Sequence, residues 1–125
     1  MSAQKELVRN AMNAFFRDFD AEKMRQFFSE DYIQHNAEFP TGLAPLIANL
    51  PKMKAANYKH EIHRIFEDHS SGELALYFEY QWQLNTEKRV CFDVVDIIKF
   101  DDLNKIIALK IIYDTYAARQ LLNTN

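Results

Sequence analysis

Between Glu73 and Leu84 every second residue is large and apolar: Leu74, Leu76, Phe78, Tyr80, Trp82 and Leu84 alternate with Glu73, Ala75, Tyr77, Glu79, Gln81 and Gln83. Side chains of an extended chain point to opposite faces in turn, so a period of two means a strand with one buried face. The pattern recurs on either side. Tyr58 to Asp68, Arg89 to Phe100 and Lys105 to Asp114 are also extended in character, and short polar segments separate the four: His69-Ser70-Ser71-Gly72, Asn85-Thr86-Glu87-Lys88 and Asp101-Asp102-Leu103-Asn104. Long strands joined by short turns predict an antiparallel meander.

The first half of the chain has a different period. With Ser2 as a cap, Leu7, Val8, Ala11, Met12, Phe15 and Phe19 follow helical spacing. Asp20 is placed to cap a second helix over Ala21 to Phe28, which brings Met24, Phe27 and Phe28 to the core. Tyr32 to Asn36 reads as a short strand, and the loop Ala37 to Gly42 contains Pro40. Leu43 to Ala56 reads as a third helix, which Pro51 is expected to end or bend. A terminal helical turn is expected over Tyr116 to Leu122. Helices followed by a run of strands predict an α+β domain over residues 1–125, with three N-terminal helices on a bent, mainly antiparallel sheet. Such a sheet, curled under helices, makes a cone with a mouth and hence a pocket.

Composition narrows the functional classes. The chain has 125 residues, 48% of them hydrophobic, and a net charge of −3. That supplies one core and no basic excess for phosphate, so neither nucleic acid nor a membrane surface is an expected partner. Met1 to Asn10 has no apolar signal core, and a cytoplasmic location is expected. Cys91 is the single cysteine, which excludes an internal disulfide and a cysteine cage for a metal. His60 and His63, three apart, fall on opposite faces of a strand, and with His69 they give no convergent set, so no metal is expected.

One polar residue interrupts an apolar row. Val90, Phe92, Val94, Asp96, Ile98 and Phe100 share a face. An ionised carboxylate there is costly unless paired, and burial raises the pKa of such a group towards the range useful for acid–base work. Arg64, in phase with Tyr58, His60, Ile62 and Phe66, is the candidate partner, and pairing of that kind would be a purely structural use. His35 is the second candidate, read as facing inward beside Ile33. Its imidazole titrates near neutrality and suits it to assist a pocket carboxylate. Tyr80 and Trp82, two apart on the buried face, could wall a flat ligand or simply pack. Tyr32 could add a phenol. Asp114, at the end of the last strand, reads either as a pocket carboxylate or as a cap for the terminal turn. Tyr77, Val95 and Ile97 lie on the outer face, where an apolar surface suits a homodimer.

The segments Tyr32-Ile33-Gln34-His35-Asn36 with Pro40-Thr41-Gly42, and Val95-Asp96-Ile97-Ile98-Lys99-Phe100 with Lys105-Ile106-Ile107 and Tyr113-Asp114, resemble those of SnoaL-like proteins in the nuclear-transport-factor-2-like (NTF2-like) superfamily. The resemblance covers nearly the whole chain. It implies a cone-shaped α+β barrel, often a homodimer, with members among polyketide cyclases, ketosteroid isomerases and epoxide hydrolases. In the cyclases a pocket Asp and His move protons at carbon, and Asp96 and His35 are the nearest equivalents here. The steroid isomerases use a Tyr on the first helix, where this chain has Phe15, Phe16 and Phe19. The epoxide hydrolases use an Asp–Arg–Asp set, to which Asp96 and Arg64 could contribute. The expected activity is therefore cofactor-independent proton transfer on a small apolar or aromatic carbonyl compound, with Asp96 and His35 catalytic and Tyr32, Tyr80, Trp82, His60, Arg64 and Asp114 around the ligand. The alternative is a non-catalytic binding or dimerisation module of the same fold.

Overall fold

The alternating segments form strands nearly where the pattern places them. In the computed structural model, which describes residues 3–36, 40–114, 116 and 119, four of the five strands are β2 (Lys59–Asp68), β3 (Glu73–Gln83), β4 (Arg89–Phe100) and β5 (Ile106–Asp114). In each turn between them an Asp or Asn side chain accepts a backbone N–H. Asp68 Oδ1 accepts the Ser70 N–H at 3.1 Å, Asn85 Oδ1 the Lys88 N–H at 3.0 Å, and Asp101 Oδ1 the Lys105 N–H at 2.9 Å. Such carboxyl and amide side chains satisfy turn N–H groups that the ladder leaves unpaired.

Three helices and one more strand precede or interrupt this meander: α1 (Ala3–Phe16), α2 (Ala21–Phe27), β1 (Phe28–His35) and α3 (Leu43–Ala55). Asp20 caps α2 as its position predicts, accepting from the N–H groups of Glu22 and Lys23. Phe19 lies beyond α1 with φ +50°, in the turn rather than on the helix. Phe28 leaves α2 to begin β1, with both its φ and ψ extended. Pro51 neither ends nor replaces α3, which runs four residues past it. Its missing N–H removes one helical bond, while the buried side chains of Leu50 and Met53 hold the next turn on the core. The Ser2 cap and most of the Tyr116–Leu122 turn fall outside the described residues.

The sheet has the order β1-β5-β4-β3-β2 and is open, with β1 and β2 at its edges. β1 runs parallel to β5, and every other pair is antiparallel. Buried residues of all three helices, among them Val8, Met24 and Met53, form one apolar cluster with Leu74, Leu76, Val94 and Ile98 of the inner sheet face.

One irregularity changes which residues look inward. On β2 the register passes from Ile62 opposite Phe78 to Arg64 opposite Tyr77, so two steps on β2 meet one on β3. A bulge of this kind reverses the alternation beyond it. Ile65, not Arg64, is then packed against the core, while Arg64 is exposed and Phe66 is 53% exposed. The expected inward placement of Arg64 is thus corrected.

Candidate functional site

Asp96 lies in the middle of β4, flanked in register by Leu76 on β3 and Ile111 on β5. The strand is central in the sheet and its inner face is covered, so the carboxyl is only 4% exposed. Its Oδ1 is buried and has no hydrogen-bond partner among the described residues. Burial alone raises the pKa well above the usual carboxylate range.

The carboxyl lines a cavity of about 150 Å³ between the helices and the sheet. Most of the wall is apolar, with Met12 and Phe15 from α1, Leu46 and Met53 from α3, and Val94 and Leu109 from the sheet. The polar part of the wall is phenols and amides: Tyr32, Gln34, Asn36, Asn49, Tyr58, Tyr80 and Tyr113. Tyr32 and Gln34 are buried, whereas Asn36, Asn49, Tyr58 and Tyr113 are half-buried and mark the solvent side.

These polar groups are ordered by one another. The Tyr32 phenol donates to Gln34 Oε1 at 3.2 Å, and Gln34 Nε2 donates to the Pro40 carbonyl at 2.7 Å. The backbone N–H of Gln34 donates to Thr41 Oγ1 at 3.0 Å. The Pro40–Thr41 segment thereby satisfies a buried amide and fixes the Tyr32 ring. Asn36 Nδ2 donates to the Tyr113 phenol at 2.7 Å. Burial first, then the Asp96 charge and Tyr113, push the Tyr32 phenol up. Burial, with Tyr113 the next cause, does the same for Tyr80 and Tyr58. All three remain protonated at neutral pH and act as donors, not bases.

Asp96, Tyr32 and Tyr80 therefore meet at one cavity, and the other expected site residues do not. His35 is exposed on β1, in register with Lys110, because the inward phase of that strand belongs to Tyr32 and Gln34. Ile33, expected inside with it, is 45% exposed. Hydrophobicity favours the phase containing the aliphatic residue, but Gln34 goes inside because Pro40 and Tyr32 satisfy its amide. Trp82 stands behind the cavity wall, stacked on Tyr58 at 6.3 Å. His60 packs 5.4 Å from the Phe16 ring in a separate groove, and burial followed by the Arg17 charge lowers its pKa. Arg64 lies across the sheet from the carboxyl it was expected to pair with. Asp114 is exposed and caps the following residues, accepting the Tyr116 N–H at 3.1 Å.

Gln34, Asn36, Asn49, Tyr58 and Tyr113 are site residues that the sequence did not single out. For Tyr113 a signal was present, since it shares its phase with Leu109 and Ile111. For Asn49, on a helix, none was.

On the other face of the sheet, His63, Glu79 and Asp93 bring ligand atoms within 4.8 Å of one another. They are three neighbouring positions across β2, β3 and β4, a grouping unlike the three histidines considered from spacing. Cys91, exposed on the same face, has its thiol pushed up by burial and then by Glu79, which leaves it a poor nucleophile at neutral pH. No helix among the described residues is long and apolar enough to cross a membrane.

A family model described as a SnoaL-like domain matches residues 8–109. No curated protein matches by sequence. Among solved structures, a SnoaL-like protein from Shewanella denitrificans OS-217 superposes with a TM-score of 0.79 at 12% identity, covering 100% of both chains. An LEH-like epoxide hydrolase of M. tuberculosis gives 0.74 at 21% identity, covering 94% of this chain and 86% of its own. The epoxide hydrolase/cyclase-like enzyme SalBIII, of pyran ring formation in the polyether salinomycin, gives 0.74 at 15% identity, covering 89% and 90%. At these identities the likeness is one of fold, an α+β cone of three helices on a five-stranded mixed sheet.

Proposed function

The chain belongs to the SnoaL-like domain family, and on that premise we propose that it is a cofactor-independent enzyme that moves a proton at a carbon next to a carbonyl, with Asp96 as the base. The observation that carries this reading is the buried Oδ1 of Asp96, without a partner among the described residues, at the wall of a mostly apolar cavity. A buried carboxyl left unpaired costs stability, so a compensating use is expected of it.

In the proposed step the C–H bond breaks, its proton passes to the Asp96 carboxylate, and its electron pair moves into an enolate. The phenol of Tyr80, or that of Tyr32 on turning its single O–H from Gln34 Oε1, is the donor for the enolate oxygen. Return of the proton to a second carbon gives an isomer; attack of the enolate carbon on an internal carbonyl carbon breaks that C=O π bond and, as the alkoxide takes the proton back from Asp96, gives a ring. His35 takes no part, since its side chain is on the far face. A cavity of about 150 Å³ is of the size that takes one six-membered ring, well below the roughly 300–1,000 Å³ of sites for drug-sized ligands. The reacting part of the substrate is therefore a single ring or its open-chain equivalent.

Deuterium exchange reads this chemistry without knowledge of the net reaction. Small cyclic ketones incubated with the protein in D₂O are expected to exchange their α-hydrogens faster than in buffer, by NMR. Asp96→Asn is expected to bring the rate back to that of buffer. Exchange by the variant at the wild-type rate would remove Asp96 as the base.

The exposed Phe66, Tyr77 and Ile112 on the outer sheet face favour homodimerisation there, in cytosolic protein. This association is equally compatible with a binding module that performs no chemistry. Tyr77→Asp should then convert a dimer to a monomer in sedimentation; an unchanged mass would place the contact elsewhere.

A further inference from the structure

Beside the Asp96 cavity runs a groove between α1 and β2, with a volume of about 650 Å³. Its walls are Arg9, Asn13, Phe16 and Arg17 from the α1 side and Tyr58, Lys59, His60 and Ile62 from the β2 side. Phe16 and Tyr58 also line the cavity, so the two spaces share a wall. Among the described residues, three permanent cations and no carboxylate line the groove, in a chain whose net charge is −3.

We propose that this groove binds the anionic tail of the substrate, a carboxylate or phosphate, while the small apolar head occupies the Asp96 cavity. The inference rests on the proton-transfer reading of that cavity and adds the substrate class: an amphiphilic anion whose ring and charge are separated by a short linker.

Two further observations support it. Arg9 Nε is buried with no hydrogen-bond partner among the described residues. A guanidinium N–H in that state is costly to leave unmade, and an anion oxygen would satisfy it. The positive field is also felt locally, since the charge of Arg17 is one of the causes that depress His60. His60 and Asn13 are then uncharged polar groups beside the cations. Arg17 is the weakest of the three, because Asp18 already pairs with it at 3.0 Å. Arg9 and Lys59 are therefore the expected anchors. Placing the charge outside the cavity also keeps it away from Asp96, where a second anion would oppose ionisation of the base.

The groove and the cavity can be tested separately with probes that share a phenyl head. Phenylbutyrate carries a carboxylate and phenylbutanol its neutral equivalent. Trp82, the single tryptophan, stacks on the shared wall residue Tyr58 and provides the fluorescence reporter. The carboxylate is expected to bind about tenfold tighter than the alcohol at low salt, the preference shrinking as salt is raised. Lys59→Gln and Arg9→Gln should each reduce that preference while leaving the affinity for phenylbutanol unchanged. Lys59 is exposed, so its variant holds the test if Arg9→Gln does not fold. Equal binding of both probes would overturn the anion groove and leave the cavity reading intact. Failure of both to bind would overturn the two together.

Discussion

Asp93 and Asp96 stand three residues apart on β4 and face opposite ways. Asp93 is exposed on the outer sheet face, opposite Glu79 and Asp114 in register. Asp96 is buried between Leu76 and Ile111, under three helices. The outer row gathers acids at the surface, Asp93 and Asp114 exposed and Glu79 half-buried. On the inner face Asp96 is the one fully buried acid among the described residues, set among aliphatic and aromatic side chains, and burial alone raises its pKa. The same residue type thus has two chemistries, set by which side of a strand it occupies. A carboxyl in water is a surface charge; a carboxyl without water is a potential base.

The largest test of this contrast is catalytic. Asp96→Asn should lower α-hydrogen exchange by about 10²–10⁴-fold, the usual share of general base catalysis, whereas Asp93→Asn should leave it unchanged. Loss of activity in both would mean that the sheet face does not separate their roles. In the wild type, exchange should fall as the pH drops below the raised pKa of Asp96, since only the ionised form accepts the proton.

Packing should divide the faces next. Leu76, fully buried beside Asp96, is expected to cost about 2–5 kcal/mol when replaced by Ala. Ile112, 50% exposed on the outer face, should cost no more than about 0.5 kcal/mol. Urea titration of both variants measures the difference, and equal midpoints would show that the outer face is as well packed as the inner.

The electrostatic cost of Asp96 gives a smaller effect with a defined sign. Its folded pKa lies above its unfolded value of about 3.9, so the folded state binds more protons between the two. The contribution of this group is fully present below the unfolded pKa and is lost as the pH rises through the folded one. Asp96→Asn should remove that loss and be more stable than wild type at high pH. Each tenfold rise that burial produces in the proton affinity of the carboxyl adds about 1.4 kcal/mol to the difference. Parallel pH–stability curves for the two proteins would contradict the buried, unpaired carboxyl.

The smallest effect concerns the order of the pocket wall. Tyr32→Phe removes the phenol that donates to Gln34 and should cost about 1 kcal/mol, with a further loss in exchange rate if that phenol meets the enolate. An unchanged rate would leave Tyr80 as the donor.

Much of this was legible in the sequence. The period-two rows gave β3, β4 and β5 and their buried faces, including the intrusion of Asp96, because a regular strand leaves no freedom in which side each residue takes. Asp20 signalled a helix start through its own side-chain chemistry. What the alternation could not show was where it breaks. The bulge in β2 reverses the phase after Ile62 and carries Arg64 away from Asp96; it costs one residue of register and has no residue signature here. On β1 the choice between the phase of Ile33 and His35 and that of Tyr32 and Gln34 was decided by Pro40 and Thr41, whose hydrogen bonds make a glutamine acceptable inside.

By itself the sequence determined the succession of helices and strands and the placement of Asp96 in the core, since both follow from local periodicity and the cost of burying charge. Tertiary structure alone decided which polar groups surround that acid. Convergence of Tyr58, Tyr80, Tyr113 and Asn36 on one cavity depends on how separate elements cross in space, and no spacing along the chain encodes that distance.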